Sequence, residues 1–314
     1  MSQIRLFLIK LLYLFVVTAL LIGGLFTLVP ADSEAFFASS EHKMDLVRDT
    51  PSPRVLVMGG SNTVFAINSE RMQNELGLPV VNTSLHGEMV INSMREMQPY
   101  IQKGDIVVIM LEYELFASQD ALDGKDFFVA QWVEYDLTRL RLFPLEREIK
   151  LLQTIVNLKF TRGLTRLMGA NFGRGVFVNA NFNAHGDFVG QLLAPPIDEI
   201  KNNSSYMPRK EFYTGTYAFL EEFNQAALAK GAVVYYEFPA SRALNCQITG
   251  AENFQRFYES FIKSTTIPVI TPFDLAQICL PDSMFYDTIY HVNGEGREVL
   301  TTRIIRDLLP LLPK

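Results

Sequence analysis

Apolar residues are arranged along this chain in two distinct patterns. Short and nearly continuous runs rich in Val, Ile, Leu and Tyr alternate with longer segments in which apolar residues recur every three or four positions. The short runs span 54–61, 79–85, 105–111, 232–238 and 267–273. Runs of this length and composition are typical of strands that are covered on both faces, as in a parallel sheet.

The segments between the runs predict helices. Helical patterns occur over 212–230, 254–262 and 295–309. In the second of these, Phe254, Phe257 and Phe261 fall on one face of a helix. Strands that alternate with helices in this way predict an α/β domain with a mostly parallel, flavodoxin-like sheet and helices on both faces.

The stretch from 118 to 209 interrupts this alternation. It contains the only tryptophan, Trp132, and an Asn-rich segment, but no clean strand pattern. We interpret it as an insertion between the third strand and the next helix. Because ligands bind beyond the carboxyl ends of the strands in open α/β sheets, we expect this insertion to form part of a lid or an acceptor groove.

The N-terminal region has a third pattern, in which apolar residues are continuous. Residues 11–30 carry no charge, and about 20 residues at 1.5 Å each suffice to cross a hydrocarbon core of ~30 Å. Arg5 and Lys10 precede the run, and acidic residues follow it. Positive residues favour the cytoplasmic side, so we predict a single-pass membrane protein with its remaining residues outside the cytoplasm.

A cleaved signal peptide is the alternative interpretation, since residues 29–31 loosely resemble a cleavage site. The apolar region is longer than that of a usual signal peptide, which favours a retained anchor. We therefore divide the chain into a membrane anchor at 1–30, a polar tether at 31–53 and an extracytoplasmic domain at 54–314.

Composition and charge narrow the classes of function. Hydrophobic residues make up 48% of the 314 residues, which is enough for a sizeable core. A net charge of −6 provides no basic field, so we exclude nucleic-acid binding. The two cysteines, Cys246 and Cys279, are free to pair or not in an oxidising compartment. Neither they nor the four histidines show metal-binding spacing, so no metal or cofactor is expected.

Candidate catalytic residues lie near the two ends of the predicted domain. Ser61 follows two glycines at the end of the first predicted strand, which suits a tight strand-to-helix turn that exposes its hydroxyl. A serine nucleophile needs a base, and His291 stands before the last predicted helix, four residues after Asp287. On these residues alone, an ordinary helix cap and a solvated histidine remain alternatives.

The two motifs together resemble a known superfamily. Gly-Gly-Ser at 59–61, combined with Asp-Thr-Ile-Tyr-His-Val-Asn-Gly-Glu-Gly at 287–296, is similar to the SGNH/GDSL hydrolases. Within that superfamily the chain most resembles the DltD-like and alginate-acetylation-type proteins of bacterial envelopes. Those proteins are anchored outside the membrane and work beside a multi-span membrane-bound O-acyltransferase. The resemblance covers roughly 54–310, and residues 181–187 also resemble a Phe-Asn-x-x-Gly-Asp element of these proteins.

The resemblance implies a role for each matching residue. Ser61 corresponds to the nucleophile, His291 to the base and Asp287 to the acid that orients the base. Gly87 stands where the superfamily has its oxyanion glycine. The backbone N–H groups of Gly87 and of Ser61 or Asn62 are therefore expected to hold the oxyanion.

The chain departs from the superfamily pattern at two positions. Glu112 follows the third strand, where an Asn is usual, and an ionised carboxylate cannot donate a hydrogen bond. Asp287 precedes His291 by four residues rather than three, and Thr288 occupies the usual Asp position. Both departures weaken the carry-over of the oxyanion and orienting roles.

The resemblance implies a serine-dependent O-acyltransferase. We expect it to transfer an acyl group, by analogy acetyl, to a cell-envelope or exported polysaccharide through an acyl-serine intermediate, with a multi-span O-acyltransferase as partner. A carbohydrate esterase of the same fold is one alternative, since only exclusion of water separates the two reactions. A catalytically silent glycan-binding or scaffold subunit is the other, because of the departures at Glu112 and Asp287.

Overall fold

The computed structural model describes residues 3–169, 175–192, 207 and 211–312. The strands within these residues are β1 (Val55–Gly59), β2 (Val80–Asn82), β3 (Ile106–Met110), β4 (Val233–Tyr236), β5 (Ser241–Arg242) and β6 (Cys279–Leu280). The α-helices up to the end of the predicted insertion are α1 (Gln3–Leu28), α2 (Ser39–Asp49), α3 (Ser61–Ala66), α4 (Ser69–Leu76), α5 (Val90–Met97), α6 (Gln119–Asp123), α7 (Asp126–Val133) and α8 (Leu145–Leu167). The later α-helices are α9 (Thr214–Ala229), α10 (Ala243–Thr249), α11 (Ala251–Ser264), α12 (Leu275–Ile278) and α13 (Gly294–Leu308).

Four strands form a parallel sheet in the order β2-β1-β3-β4. Each lies inside one of the predicted apolar runs, and every residue of β1, β2 and β3 is buried. The prediction of an α/β domain with a mostly parallel sheet is confirmed. The fifth run, 267–273, makes only a single parallel bridge between Val269 and Tyr236. Pro268 and Pro272 lack the N–H groups that a longer ladder needs.

A second, two-stranded sheet pairs β5 with β6. A disulfide joins Cys246 of α10 to Cys279 of β6, with the two Cα atoms 6.0 Å apart. The sequence left this pairing open, because Cys246 and Cys279 are 33 residues apart and only the fold brings them together. The disulfide therefore fastens the segment after β4 to the segment that precedes His291.

Helix α1 is the N-terminal apolar helix that the charge-free run predicts. Its 26 residues extend over about 39 Å, and none of them is buried in the rest of the protein. By length and composition it is able to cross a membrane. The helix begins at Gln3, eight residues before the apolar run, since Arg5 and Lys10 are also helical.

Residues 31–53, which we predicted to be a polar tether, contain the packed helix α2. Met44 and Val47 on this helix are buried in the main core. Lys43 is buried too, where its Nζ donates to the backbone carbonyl of Asn82 at 2.9 Å. Burial lowers the pKa of Lys43 to about 7. The segment therefore belongs to the folded domain. The sequence analysis missed this because a hydropathy pattern counts Lys43 as solvent-exposed.

The predicted insertion contributes α6, α7, α8 and the loop 175–192, while its residues 170–174, 193–206 and 208–209 lie outside the described part of the chain. Helices α7 and α8 enclose a second, smaller core that includes Trp132, Val133, Leu151 and Ile155. The insertion is thus a small helical layer with its own apolar centre, packed beside the sheet domain.

Asp187 in this loop is fully buried and connects distant segments. Its carboxylate accepts hydrogen bonds from the hydroxyl of Ser69 at 2.6 Å and from the side-chain amide of Asn82 at 3.0 Å. The guanidinium of Arg297 lies 3.1 Å away. The insertion is therefore tied to the start of α4, the end of β2 and the first turn of α13 by one carboxylate.

We expect mass analysis without reductant to find Cys246 joined to Cys279 in protein from an oxidising compartment. A closed loop of 33 residues restricts the unfolded chain, so the double variant Cys246→Ser, Cys279→Ser should lose about 3–4 kcal/mol of stability. Thermal unfolding of the full chain in detergent, with and without reductant, measures this loss. Equal midpoints for the oxidised and reduced wild type would contradict a stabilising role for the disulfide.

Removing the buried carboxylate should be more damaging than removing an exposed one. Asp187→Ala leaves the buried charge of Arg297 without its partner and should cost about 3–5 kcal/mol. The matched control is Asp45→Ala, which breaks an exposed ion pair with Arg48 and should change stability by less than about 1 kcal/mol. Denaturant unfolding measures both effects. The same midpoint for Asp187→Ala and Asp45→Ala would argue against a structural role for Asp187.

Candidate active site

Ser61 is the first residue of α3 and stands immediately beyond the carboxyl end of β1. The residue before it, Gly60, precedes the helix in an extended conformation. A Cβ atom on Gly60 would lie 2.5–2.7 Å from the carboxyl group of Glu112. Only glycine leaves room for that carboxyl group, so the Gly-Gly-Ser turn serves a close approach as well as a tight bend.

His291 and Asp287 lie in the loop that leads into α13. Nδ1 of His291 is 2.7 Å from Oδ1 of Asp287. The hydroxyl of Thr288 accepts a hydrogen bond from the backbone N–H of His291 at 3.0 Å. The extra residue between the acid and the histidine is therefore accommodated in a turn that Thr288 closes, and Asp287 still reaches the ring.

Phe65 packs against the ring of the histidine. The ring of His291 stacks on the ring of Phe65, with centroids 4.0 Å apart and planes 5° from parallel. Phe65 is four residues after Ser61 in α3, so both side chains project from the same face of the helix. His291 thus lies beside the helix face that carries the serine. The sequence analysis missed Phe65, although an aromatic residue one turn after the serine was visible there.

Glu112 holds the serine hydroxyl in this structure. It follows β3, which neighbours β1, and its buried Oε1 accepts hydrogen bonds from Ser61 Oγ and from the backbone N–H of Asn62, both at 3.1 Å. A hydroxyl has one proton, so Ser61 does not donate to His291 at the same time. Burial raises the pKa of Glu112 above the usual carboxyl value, against the opposing effects of the Asn62 hydrogen bond and the charge of His291.

Asn62 and Gly87, the two residues predicted to hold the oxyanion, have different surroundings. The backbone N–H of Asn62 is engaged by Glu112, and its side-chain amide donates to the carbonyl of Met110 at 3.2 Å. Gly87 lines the cavity beside the serine, and a Cβ atom there would lie 2.1 Å from Oε2 of Glu112. Gly87 therefore lies in the wall of the cavity beside Ser61, whereas the backbone N–H of Asn62 is occupied by Glu112.

A cavity of about 220 Å³ opens beside Ser61. Besides Ser61, Gly87 and Glu112, it is lined by His86, Glu88, Glu114, Leu115, Ala121 and Tyr290. Burial raises the pKa of Glu114 to about 8, and the hydroxyl of Tyr290 donates to this carboxyl at 2.6 Å. Burial also lowers the pKa of His86 to about 4, so this second histidine is neutral at pH 7.

Several of these lining residues were missed by the sequence analysis. His86, Glu114 and Tyr290 come from three segments that meet only when the strands are ordered side by side. Ala121 belongs to α6, so the insertion does contribute to the wall of the cavity. Among the described residues, no group of three or more His, Cys, Asp or Glu side chains is placed to hold a metal ion.

Comparison with known proteins provides no family for this chain. No family model matches the sequence, and no curated protein matches it either. The functional assignment therefore depends on the residues and the geometry of the site.

Proposed function

We propose that this protein is a serine-dependent O-acyltransferase of the SGNH type. The observation that carries the proposal is the 2.7 Å contact of Asp287 with Nδ1 of His291, on a ring that lies beside the helix face bearing Ser61. A carboxylate that holds Nδ1–H leaves Nε2 to take the proton of a serine. The strand order β2-β1-β3-β4 supports the fold assignment, since flavodoxin-like sheets share it.

The proposed reaction has two steps. In the first, Nε2 of His291 takes the proton of Ser61, Oγ attacks the carbonyl carbon of the acyl donor, and the leaving group departs with the proton. In the second, a polysaccharide hydroxyl gives its proton to His291 and attacks the acyl-serine; the bond to Oγ breaks, and His291 passes the proton to Oγ, which restores the hydroxyl of Ser61. Before the first step the serine hydroxyl turns from Glu112 toward His291, a rotation between staggered positions of one side-chain bond.

Glu112 acts in this mechanism as a neutral acid that stabilises the oxyanion. Its Oε1 already accepts two hydrogen bonds, so a proton on the carboxyl group resides on Oε2, the oxygen on the side of Gly87. The Oε2–H group and the N–H of Gly87 then provide the two donors, in place of the usual Asn. A buried carboxylic acid that stays neutral in order to donate a hydrogen bond to an oxyanion has precedent in enzymes.

The cavities support a short acyl group and a polar acceptor. The cavity beside Ser61, about 220 Å³, is below the range of about 300–1,000 Å³ for pockets that hold drug-sized ligands, which favours acetyl. A second cavity, of about 590 Å³ and lined mostly by charged residues, lies on α6, α7 and α8. Its Lys125 forms an ion pair, 2.6 Å long, with Glu88 of the cavity beside Ser61. We assign the polysaccharide acceptor to the larger one.

We infer that α1 anchors the protein in the cytoplasmic membrane with the domain on the periplasmic side, beside a multi-span acyltransferase that supplies the acyl group. The basic residues Arg5 and Lys10 before the apolar run support this orientation. The disulfide between Cys246 and Cys279 supports it independently, because disulfides persist in oxidising compartments.

One observation favours a second candidate function. The hydrogen bond from Ser61 to Glu112 holds the hydroxyl away from the base, as would suit a catalytically silent scaffold subunit. The two candidates differ in whether polymer acylation needs the hydroxyl of Ser61.

Replacing the nucleophile or the base should abolish polymer acylation. Ser61→Ala and His291→Ala should each lower the acylation rate by about 10³-fold or more, and the double variant should lose no more than either alone, because the residues act as a unit. Asp287→Asn should also be severe, since it removes the carboxylate at 2.7 Å from the ring. The acetyl content of the polymer in cells measures these effects.

The matched controls are Ser264→Ala and His42→Ala, which change exposed residues and should leave acylation unchanged. A fluorophosphonate probe should label the wild type and fail on Ser61→Ala. Full polymer modification by a stable, membrane-bound Ser61→Ala variant would overturn the enzyme proposal in favour of the scaffold.

The pH dependence of the reaction tests the role of Glu112. The neutral form exists below the pKa, so wild-type activity should fall as the pH rises through the raised pKa of this residue. Glu112→Gln supplies an N–H donor at every pH and should extend activity to higher pH, whereas Glu112→Ala should lose it. Release of p-nitrophenol from its acetyl ester by the purified full chain measures the profile.

Other titrating groups face the same cavity and must be separated from Glu112. Glu114, with a pKa of about 8, is tested by Glu114→Gln, which should leave the alkaline limb in place. The side chains of Glu88, His86 and His291 are the same in both variants, so they do not account for a difference between the two pH profiles. A folded Glu112→Gln variant that is inactive at every pH would mean that the carboxylate form is required and that the donor role is wrong.

A further inference from the structure

Helix α8 carries an apolar stripe that faces away from the core. Its inward side packs Leu151 and Ile155 against α7. A different line of residues, spaced by three or four positions along the helix, consists of Leu145, Ile149, Leu152, Val156, Phe160, Leu164 and Leu167. We call this line the outer stripe. Leu145, Phe160 and Leu167 in it are 70%, 64% and 87% exposed. A contiguous apolar surface of this kind marks an interaction site.

The C-terminal end of α1 crosses the middle of the outer stripe. Lys159 of α8 donates to the backbone carbonyl of Val29 at 2.8 Å, and its Nζ lies 4.9 Å from the centre of the Phe26 ring. Arg162, one turn further on, donates to the carbonyl of Pro30 at 3.3 Å. Because these contacts involve the last turn of α1 and the residues after it, α8 is fixed where the membrane-length helix ends.

Buried charges hold this junction in one arrangement. The carboxylate of Glu134, at the end of α7, is 3.0 Å from Nζ of Lys159 and pairs through both oxygens with the guanidinium of Arg162, at 2.6 and 3.0 Å. A two-point contact with a planar guanidinium restricts rotation as well as separation. Helices α7 and α8 and the exit of α1 therefore form one unit.

An open apolar groove lies on each side of α1 along α8. One groove, of about 600 Å³, runs between Ile22 and Phe26 of α1 and the first half of the outer stripe. The other, of about 490 Å³, runs between Leu25 and Leu28 of α1 and the second half. Within the described part of the chain, α1 is the only helix long and apolar enough to cross a membrane, and these grooves flank its end.

We propose that α8 lies in the interface of the membrane that α1 crosses, with the outer stripe and both grooves in contact with lipid acyl chains. The occupant is lipid because α1 ends on this stripe. When α1 spans a bilayer, Leu28 to Pro30 lie at its surface, and the apolar side chains of α8 at that level meet hydrocarbon rather than water. Interfacial helices have this construction, with one apolar face about 5–10 Å deep and a polar face toward the headgroups.

The polar side of α8 fits the same orientation. Lys150, Thr154 and Thr161 project from the face beside the outer stripe and are solvent-accessible to different degrees. The helix therefore has three faces: one packed on α7, one apolar and open, and one polar. Such a division suits a helix that lies at a boundary between protein, lipid and water.

The docked helix would set the height of the candidate active site above the membrane. Helix α7 packs on α8 at one side, and at the other its Phe128 stacks on His86 in the cavity wall, with ring centroids 4.7 Å apart. One helix layer, about 8–10 Å thick, thus separates α8 from the site. This proposal depends on the membrane anchoring by α1 and is independent of acyl transfer.

Spin labels on the full chain in phospholipid vesicles test the proposal. Variants with one added cysteine, Leu152→Cys, Phe160→Cys and Leu164→Cys, place labels on the outer stripe, and Thr154→Cys and Thr161→Cys place matched labels on the polar face. Without reductant, the native cysteines stay joined to each other and do not react. Collisions with oxygen, which enters hydrocarbon, are compared with collisions with a water-soluble nickel chelate. We expect outer-stripe labels about 5–10 Å below the headgroup level and polar-face labels in water.

A label at Phe15→Cys in the middle of α1 separates the proposal from its premise. If this label is in hydrocarbon while the outer-stripe labels collide with nickel as often as Thr161→Cys, the interfacial placement of α8 is overturned. If the Phe15→Cys label is itself in water, α1 does not cross the bilayer and the proposal fails with it. Outer-stripe labels that meet neither reagent would be covered by a second copy of this chain, which also excludes lipid contact. None of these readouts requires enzymatic activity.

Discussion

The placement of the candidate catalytic residues depends on one buried carboxylate. Asp187 accepts hydrogen bonds from the backbone and hydroxyl of Ser69, in the helix that follows the α3 segment of Ser61. The same carboxylate pairs with Arg297, in the first turn of the helix that follows His291. The serine and the histidine come from opposite ends of the domain, and the contact with Asp187 joins the two helices that follow them. A fully satisfied buried network of this kind favours one arrangement over others, because any partner left unpaired is costly.

Glu112 imposes the second constraint on the site. Burial of a carboxyl group without compensation is unfavourable, and here a backbone N–H, a serine hydroxyl and the space left by Gly60 and Gly87 accommodate it. The hydroxyl of Ser61 touches this carboxyl group directly. Perturbed carboxyl groups in a cavity are characteristic of functional sites. The carboxyl group accepts the hydrogen bond of the resting serine, and in the proposed mechanism its neutral form donates to the oxyanion.

The sequence predicted strands and helices correctly where they follow from a local pattern of apolar residues. It failed where a buried lysine or the missing N–H group of a proline changed the structure. Four apolar runs became the four strands of the parallel sheet, but the run containing Pro268 forms a single bridge. The segment 31–53 appeared polar because the buried face of α2 includes Lys43 beside Met44 and Val47. Likewise, the spacing of Asp287 and His291 departed from the superfamily pattern, yet a turn brings the two side chains to 2.7 Å.

The sequence by itself determined the apolar N-terminal helix, the alternation of strands and helices, and a serine and a histidine at the ends of elements that a parallel sheet brings to one edge. These features arise from periodicity and turn chemistry within about ten residues, which a single sequence displays. Only the tertiary structure decided that Glu112, 51 residues after Ser61, holds its hydroxyl, and that the apolar stripe of α8 faces outward beside α1. Contacts of this kind depend on which strands and helices become neighbours. Ser61 and Glu112 meet because β1 pairs with β3, and no local sequence pattern specifies that pairing.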